Sequence, residues 1–312
     1  MRGKSCMKRY ISVWLAIVLL ICAVPGCGQS AARGRGGVKI FFALNQMDTF
    51  RQTLVDGAAE QAAQAGAQFA MEDAQGSIER QVEQLKKAAA ENYDVIICSP
   101  VSVDTAVQLK MSVGDVPIVF VNSCPDEKYL QEGKYIYVGS SEQVAGAFQA
   151  EYVLSKLSGR QEFNVVLIKG PASHSAAVGR TSGVKRVLEE SGKQVHYVFE
   201  DSAGWDTAQA QKLFELFLKT GVSADCVICN NDAMALGVME ACRNNGIDCS
   251  TLPILGVDAT ADGCEAIRNG EMAFTVYQSG SGQGHAAVDA AIRLVETGSV
   301  KDVEGSTEDG RY

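Results

Sequence analysis

The chain has 312 residues, 46% of them hydrophobic and 21% charged, with a formal net charge of −9. An acidic balance argues against nucleic acid or an anionic lipid surface as the partner, since both would repel it. The length is enough for two domains of ~100–200 residues each.

The first 26 residues have the plan of an export signal. Arg2, Lys4, Lys8 and Arg9 precede an apolar run over 11–24 broken only by Ser12, shorter than the ~20 residues of a membrane span. The run ends in Val24-Pro25-Gly26-Cys27, which resembles a bacterial lipobox, so Cys27 is the expected lipidated N-terminus and anchor. Cleavage there removes four basic residues and takes the net charge from −9 to −13. Residues 27–37 read as a flexible tether rich in Gly, Ser, Ala and Arg.

From Val38 onward short apolar runs alternate with helical periodicity: runs at 38–44, 68–71, 95–98 and 116–121, with helices at 50–65, 78–90 and 103–111. A second series follows, with runs at 164–168, 194–199, 226–229, 253–257 and 273–277 and helices at 176–190, 207–218, 233–243, 263–268 and 283–295. This pattern predicts an α/β protein of two doubly wound parallel sheets with a cleft between them. The expected division is 38–122 plus 279–298 for the first domain, 123–278 for the second, and a tail over 299–312.

Seven cysteines remain beyond Cys27, at 98, 124, 226, 229, 242, 249 and 264. Scattered through apolar strands and helices, they read as small buried hydrophobes, and Cys226 and Cys229 lie within one strand, where residues three apart face opposite ways. A redox or zinc role is not expected of them.

In open parallel sheets, ligands sit beyond the carboxyl ends of the strands. There stand Asp48 and Phe50, Ser99 and Ser102, Asn122, His174 and Arg180, Trp205, Asn231 and Asp232, Asp258 and Gln278. Any one of them reads equally well as a helix cap or turn residue. Together, carboxylates, amides and a guanidinium suit paired hydroxyls, and Phe50 and Trp205 offer flat faces for a sugar ring.

The strings Gly204-Trp-Asp-Thr-Ala-Gln-Ala210, Cys229-Asn-Asn-Asp-Ala-Met-Ala-Leu-Gly237 and Gly256-Val-Asp-Ala259, with His174 six residues before Arg180, resemble the bacterial type I periplasmic sugar-binding proteins, the glucose/galactose-binding protein above all and also the ribose-binding protein. The resemblance spans about residues 38–295. It implies a hinged two-domain binder, expected as a monomer, that captures a monosaccharide or polyol, a hexose by preference. Delivery would be to an ABC permease, or alternatively to a membrane sensor. It implies ligand contacts by Asp48, Phe50, His174, Arg180, Trp205, Asn231, Asp258 and Gln278, with Ser99 and Ser102 as candidates after the third strand. No cofactor, metal or enzymatic activity is expected.

Departures from the pattern are informative. Ala176 stands where the glucose/galactose protein has a second acid, and the segment 155–161 has no calcium-ligand series. Family members continue past the segment matching Val295 with a third crossing, so a shortened crossing or a truncated form is expected here. Gly280-Ser-Gly-Gln-Gly284 lacks the third glycine of a dinucleotide fingerprint and reads as a hinge loop. A DNA-binding repressor sharing this fold would begin with a helix-turn-helix, where this chain has an export signal.

Overall fold

The computed structural model describes residues 37–312. The expected signal, Cys27 and nearly all of the tether lie outside the described residues. The first sheet comprises β1 (Lys39–Leu44), β2 (Gln68–Asp73), β3 (Val95–Cys98), β4 (Ile118–Val121) and β5 (Tyr135–Val138), in the order β2-β1-β3-β4-β5. The second comprises β6 (Glu162–Lys169), β7 (Gln194–Ser202), β8 (Cys226–Cys229), β9 (Ile254–Asp258) and β10 (Phe274–Tyr277), in the order β10-β9-β8-β6-β7. Every pairing within the sheets is parallel. The central strands β3 and β8 are buried along their whole length, which is why they read as unbroken apolar runs.

Helices α1 (Thr49–Gln64), α2 (Ile78–Ala90) and α3 (Ala106–Val113) follow the first three strands. Helix α4 (Glu142–Lys156) leads to the second sheet, which carries α5 (Ser175–Glu190), α6 (Thr207–Leu218), α7 (Asp232–Asn244) and α8 (Ala261–Arg268). Helix α9 (Gly280–Thr297) ends the series and shares a core with the first sheet, where Ala287, Val288 and Leu294 pack with Ile40, Phe42 and Leu54. Strand order reverses between β1 and β3 in one sheet and between β6 and β8 in the other. Those switch points are where such sheets open a crevice.

Three features depart from the sequence reading. Strand β5 belongs to the first sheet, so the first lobe's sheet draws on residues beyond the expected boundary at 122. The glycine run 280–284 is the first turn of α9, not a hinge loop: Ser279 caps it by accepting from Gly282 N. Its glycines serve close packing, since a Cβ at Gly284 would lie 2.2 Å from the Leu54 carbonyl oxygen of α1. The tail folds onto the β5 edge, where the Arg311 carbonyl accepts from Tyr137 N at 2.8 Å and Tyr312 meets Tyr137 edge-on.

The seven cysteines of the described residues are all free. Cys98, Cys226 and Cys229 are fully buried, and burial pushes their thiols up, that of Cys226 to about 12. Thiols held protonated in this way are poor nucleophiles.

Candidate ligand-binding site

One small cavity at the two switch points is lined by Asp48, Phe50, Arg51, Asn122, His174, Ala176, Arg180, Trp205, Asn231, Asp258 and Gln278. Three of these are helix N-caps that follow a strand, and each spends one atom on its cap. Asp48 Oδ1 accepts from Arg51 N at 2.7 Å, His174 Nδ1 from Ala176 N at 3.2 Å and Asn231 Oδ1 from Met234 N at 3.0 Å. The capping reading and the ligand reading are therefore compatible: the cap fixes each rotamer on the cavity wall, where Asp48 Oδ2 also accepts from Arg51 Nη1 and His174 Nε2 meets Asn122.

The second lobe centres on Arg180, which is 3% exposed. Its Nε donates to Glu142 Oε2 at 2.6 Å, Nη1 to the Asn230 carbonyl at 2.6 Å and Nη2 to Gln278 Oε1 at 3.0 Å, with Asp258 Oδ1 3.6 Å from Nη1. Gln278 Nε2 also reaches Asp258 Oδ1, at 3.4 Å. Burial opposes the Arg180 charge, but Glu142 and Asp258 more than offset it and hold its pKa up. The fork is thus fixed on three sides before any ligand arrives.

His174 is neutral, because burial first, then Arg51 and Arg180, push its pKa well down. With Nδ1 accepting from Ala176 N, the proton sits on Nε2, which donates across the lobes to Asn122 Oδ1 at 3.3 Å. Trp205 packs edge-on against His174 with ring centroids 5.2 Å apart. It also lies against Gly170, where a Cβ would sit 2.3 Å from the indole. The Trp205 Nε1 is buried without a partner.

Asn122, Trp205 and Asp258 have φ of 63°, 71° and 112°. Three non-glycine residues in a costly backbone region around one cavity are what a strained binding site looks like. In the Asp258 carboxyl, burial raises the pKa from 3.8 to about 8; Arg180 opposes the rise, and Asp232, Glu142 and Asp48 add to it. An acid whose pKa is higher folded than unfolded stabilises the fold fully below its ordinary 3.8, and that contribution is lost as pH rises through about 8. The unliganded protein should therefore melt at a lower temperature at about pH 9 than at about pH 6. Asp258→Asn should flatten this fall in a thermal melt series, and an unchanged fall in the variant would assign it to other groups.

Eight of the ten residues expected to bind ligand line this cavity: Asp48, Phe50, His174, Arg180, Trp205, Asn231, Asp258 and Gln278. Ser99 and Ser102 do not. Ser99 is fully buried, and its hydroxyl donates to Asn45 Oδ1 at 3.2 Å. Ser102 caps the short 3-10 turn Val103–Thr105 by accepting from Asp104 N. Asp232, expected beside Asn231 at the ligand, instead turns into the core. There it accepts from Thr260 N at 2.8 Å, Thr260 Oγ1 at 3.1 Å and Thr275 Oγ1 at 2.6 Å. Arg51 and Glu142 were not singled out in the sequence; Arg51 is 7% exposed on the cavity wall, and Glu142 lies behind Arg180. Asn122, read there as one of the polar residues at the strand ends, also lines the cavity.

Comparison with known proteins gives the same architecture a name. Residues 40–299 match the family model of the periplasmic binding protein domain. The chain belongs to the periplasmic binding protein family. Among its relatives is a putative rhizopine-binding protein of Rhizobium meliloti, 32% identical over 73% of this chain and 74% of that one. The D-galactose/methyl-galactoside binding periplasmic protein MglB of Haemophilus influenzae is 30% identical over 90% of this chain and 88% of its own length. A solved ABC transporter solute binding protein from Bacillus halodurans, with bound myo-inositol, superposes with a TM-score of 0.78 at 30% identity, covering 85% of this chain and 91% of that one. These periplasmic binding proteins are binders and not enzymes.

Proposed function

We propose that this periplasmic binding protein is an extracytoplasmic lipoprotein that captures a neutral six-membered ring polyol, a hexose or a related cyclitol, by hinge closure and hands it to an ABC importer. The observation that carries the reading is the charge balance of the cavity. Arg180 is met by Glu142 and Asp258, and Arg51 by Asp48, so no isolated charge calls for an ionic ligand. What remains are forked donors, carboxylate and amide acceptors, and the faces of Phe50 and Trp205. The rhizopine- and galactoside-binding relatives and the neighbour holding myo-inositol support the same ligand class.

A thermal-shift screen of residues 28–312 against hexoses, pentoses, inositols and linear polyols, with amino acids and purine nucleosides as controls, tests the reading. A ring polyol should raise the melting temperature by several degrees. A shift with an amino acid or nucleoside alone would overturn the ligand class.

The anchor is tested separately. The short apolar run ending at Gly26-Cys27 motivates it, and two or more acyl chains hold a protein at a membrane where one does not. Cys27→Ala should move the protein from the membrane fraction to the soluble one. Tight membrane association without the cysteine would remove lipidation from the account.

A further inference from the structure

We propose that Ser123 and Ser175 form a latch between the lobes, outside the ligand cavity, that sets how tightly any ligand is held. The inference rests on the hinge closure proposed above and not on the identity of the ring. A row of hydrogen bonds joins the turns after β3 and β4 to the start of α5. Val103 N donates to the Ser173 carbonyl at 3.2 Å, and His174 Nε2 meets Asn122 Oδ1 at 3.3 Å. Beyond them Ser175 N donates to Ser123 Oγ at 3.2 Å, and Cys124 N donates to Ser175 Oγ at 2.7 Å. The last two are reciprocal: each serine hydroxyl takes a backbone N–H from the opposite lobe.

Each half of the latch follows from its place in the chain. Ser175 is the first residue of α5, so its N–H is one of the helix's free N-terminal donors. The capping His174 serves Ala176 N, and the Ser175 N–H finds its acceptor on the other lobe. On the facing side Asn122, with φ of 63°, bends the chain so that Ser123 N donates back to the Val121 carbonyl at 2.7 Å, a γ-turn of the rare, strained kind. That turn sets Ser123 Oγ and Cys124 N against α5. Backbone strain persists only where its surroundings fix it, and the bonds across to α5 do so here. Neither serine lines the ligand cavity, so the pair is the same whichever ligand is held. Opening the lobes exchanges both bonds for bonds to water, and the latch therefore favours the closed form. A binder that its ligand closes is mostly open beforehand, and its apparent affinity is that of the closed form scaled by the closed fraction. Each latch bond removed lowers that fraction by one factor, alike for every ligand.

Calorimetric titration of residues 28–312 with myo-inositol and with D-galactose, for the parent, Ser123→Ala, Ser175→Ala, the double variant and Ser175→Thr, tests this. Each alanine variant removes one bond and should weaken binding about fivefold, and the double variant about 25-fold, with the stoichiometry still near one. The factor should be the same for every ring that binds, since the latch touches none of them. Ser175→Thr keeps the hydroxyl and should bind within about twofold of the parent, which separates the lost bond from a packing fault. Affinities of the double variant within about twofold of the parent's would overturn the inference. So would losses that differ between ligands by more than about fivefold, or a threonine variant as weak as the alanine one. Should neither ring bind the parent, the ring-polyol reading fails, and the same variants are titrated with the control amino acid or nucleoside that raises the melting temperature. A parent that binds nothing in the panel would remove hinge capture and the latch together.

Discussion

Replacing Arg180 by methionine should abolish ligand capture and lower the stability of the unliganded protein in the same variant. The guanidinium is held by Glu142, the Asn230 carbonyl and Gln278, and faces Asp258. Without it the buried Glu142 carboxylate loses its counter-charge, and breaking a buried ion pair by removing one partner costs about 3–5 kcal/mol. Ligand loses a charge-assisted fork and meets a rearranged wall, so affinity should drop about 1,000-fold, or about 4 kcal/mol. Arg180→Lys should recover part of the stability and little of the affinity, since an ammonium restores charge but cannot span three fixed acceptors. Calorimetry and a melt on each variant read both quantities. Binding by Arg180→Met within about tenfold of the parent would show that Arg180 is a scaffold for Glu142 alone.

Asp232→Ala should do the reverse, lowering stability while leaving the ligand preference intact. Its carboxylate is fully buried, with its pKa raised by burial against three hydrogen bonds from Thr260 and Thr275. Close glycines make room for it: a Cβ at Gly256 or at Gly263 would lie 2.2 Å from a carboxylate oxygen. Truncation leaves three donors unpaired and a small cavity, at a cost of about 3 kcal/mol, which for a domain pair of this size lowers the melting temperature by about 6–10 °C. The order of affinities across a sugar panel should be that of the parent. A changed order would place Asp232 in contact with ligand.

These two aspartate and arginine sites show what the sequence does and does not disclose. Both sheets are legible because β3 and β8 are covered on both faces and must be apolar throughout. Asp48, His174 and Asn231 are legible because capping residues between a strand and a helix mark the crevice of an open sheet. Asp232 misleads because it adjoins Asn231, yet at 3.6 residues per turn neighbours on a helix start point about 100° apart, one to the cavity and one to the core. Glu142 and Arg51 are hidden for different reasons. Glu142 meets a partner 38 residues away, a separation that no local spacing predicts. Arg51 reads as a solvated helix residue three places after an acid, yet it is buried on the cavity wall. Ser99 and Ser102 stand at the right end of β3, but Asn45 and the following 3-10 turn absorb their hydroxyls. Strand β5 escapes notice because Tyr135–Val138 is a short edge strand reached through irregular chain.

The central claim is that the cavity between the two lobes is where ligand binds, and Trp205 reports on it directly. It is the tryptophan of the described residues, half-buried on the cavity wall with its Nε1 unpartnered. An emission titration of residues 28–312 with whichever ring polyol raises the melting temperature should give a saturable change at one site, with a dissociation constant equal to the calorimetric one and near or below ~1 μM, about −8 kcal/mol. Binding by calorimetry with no change in Trp205 emission, and with Trp205→Ala binding as tightly as the parent, would contradict the account.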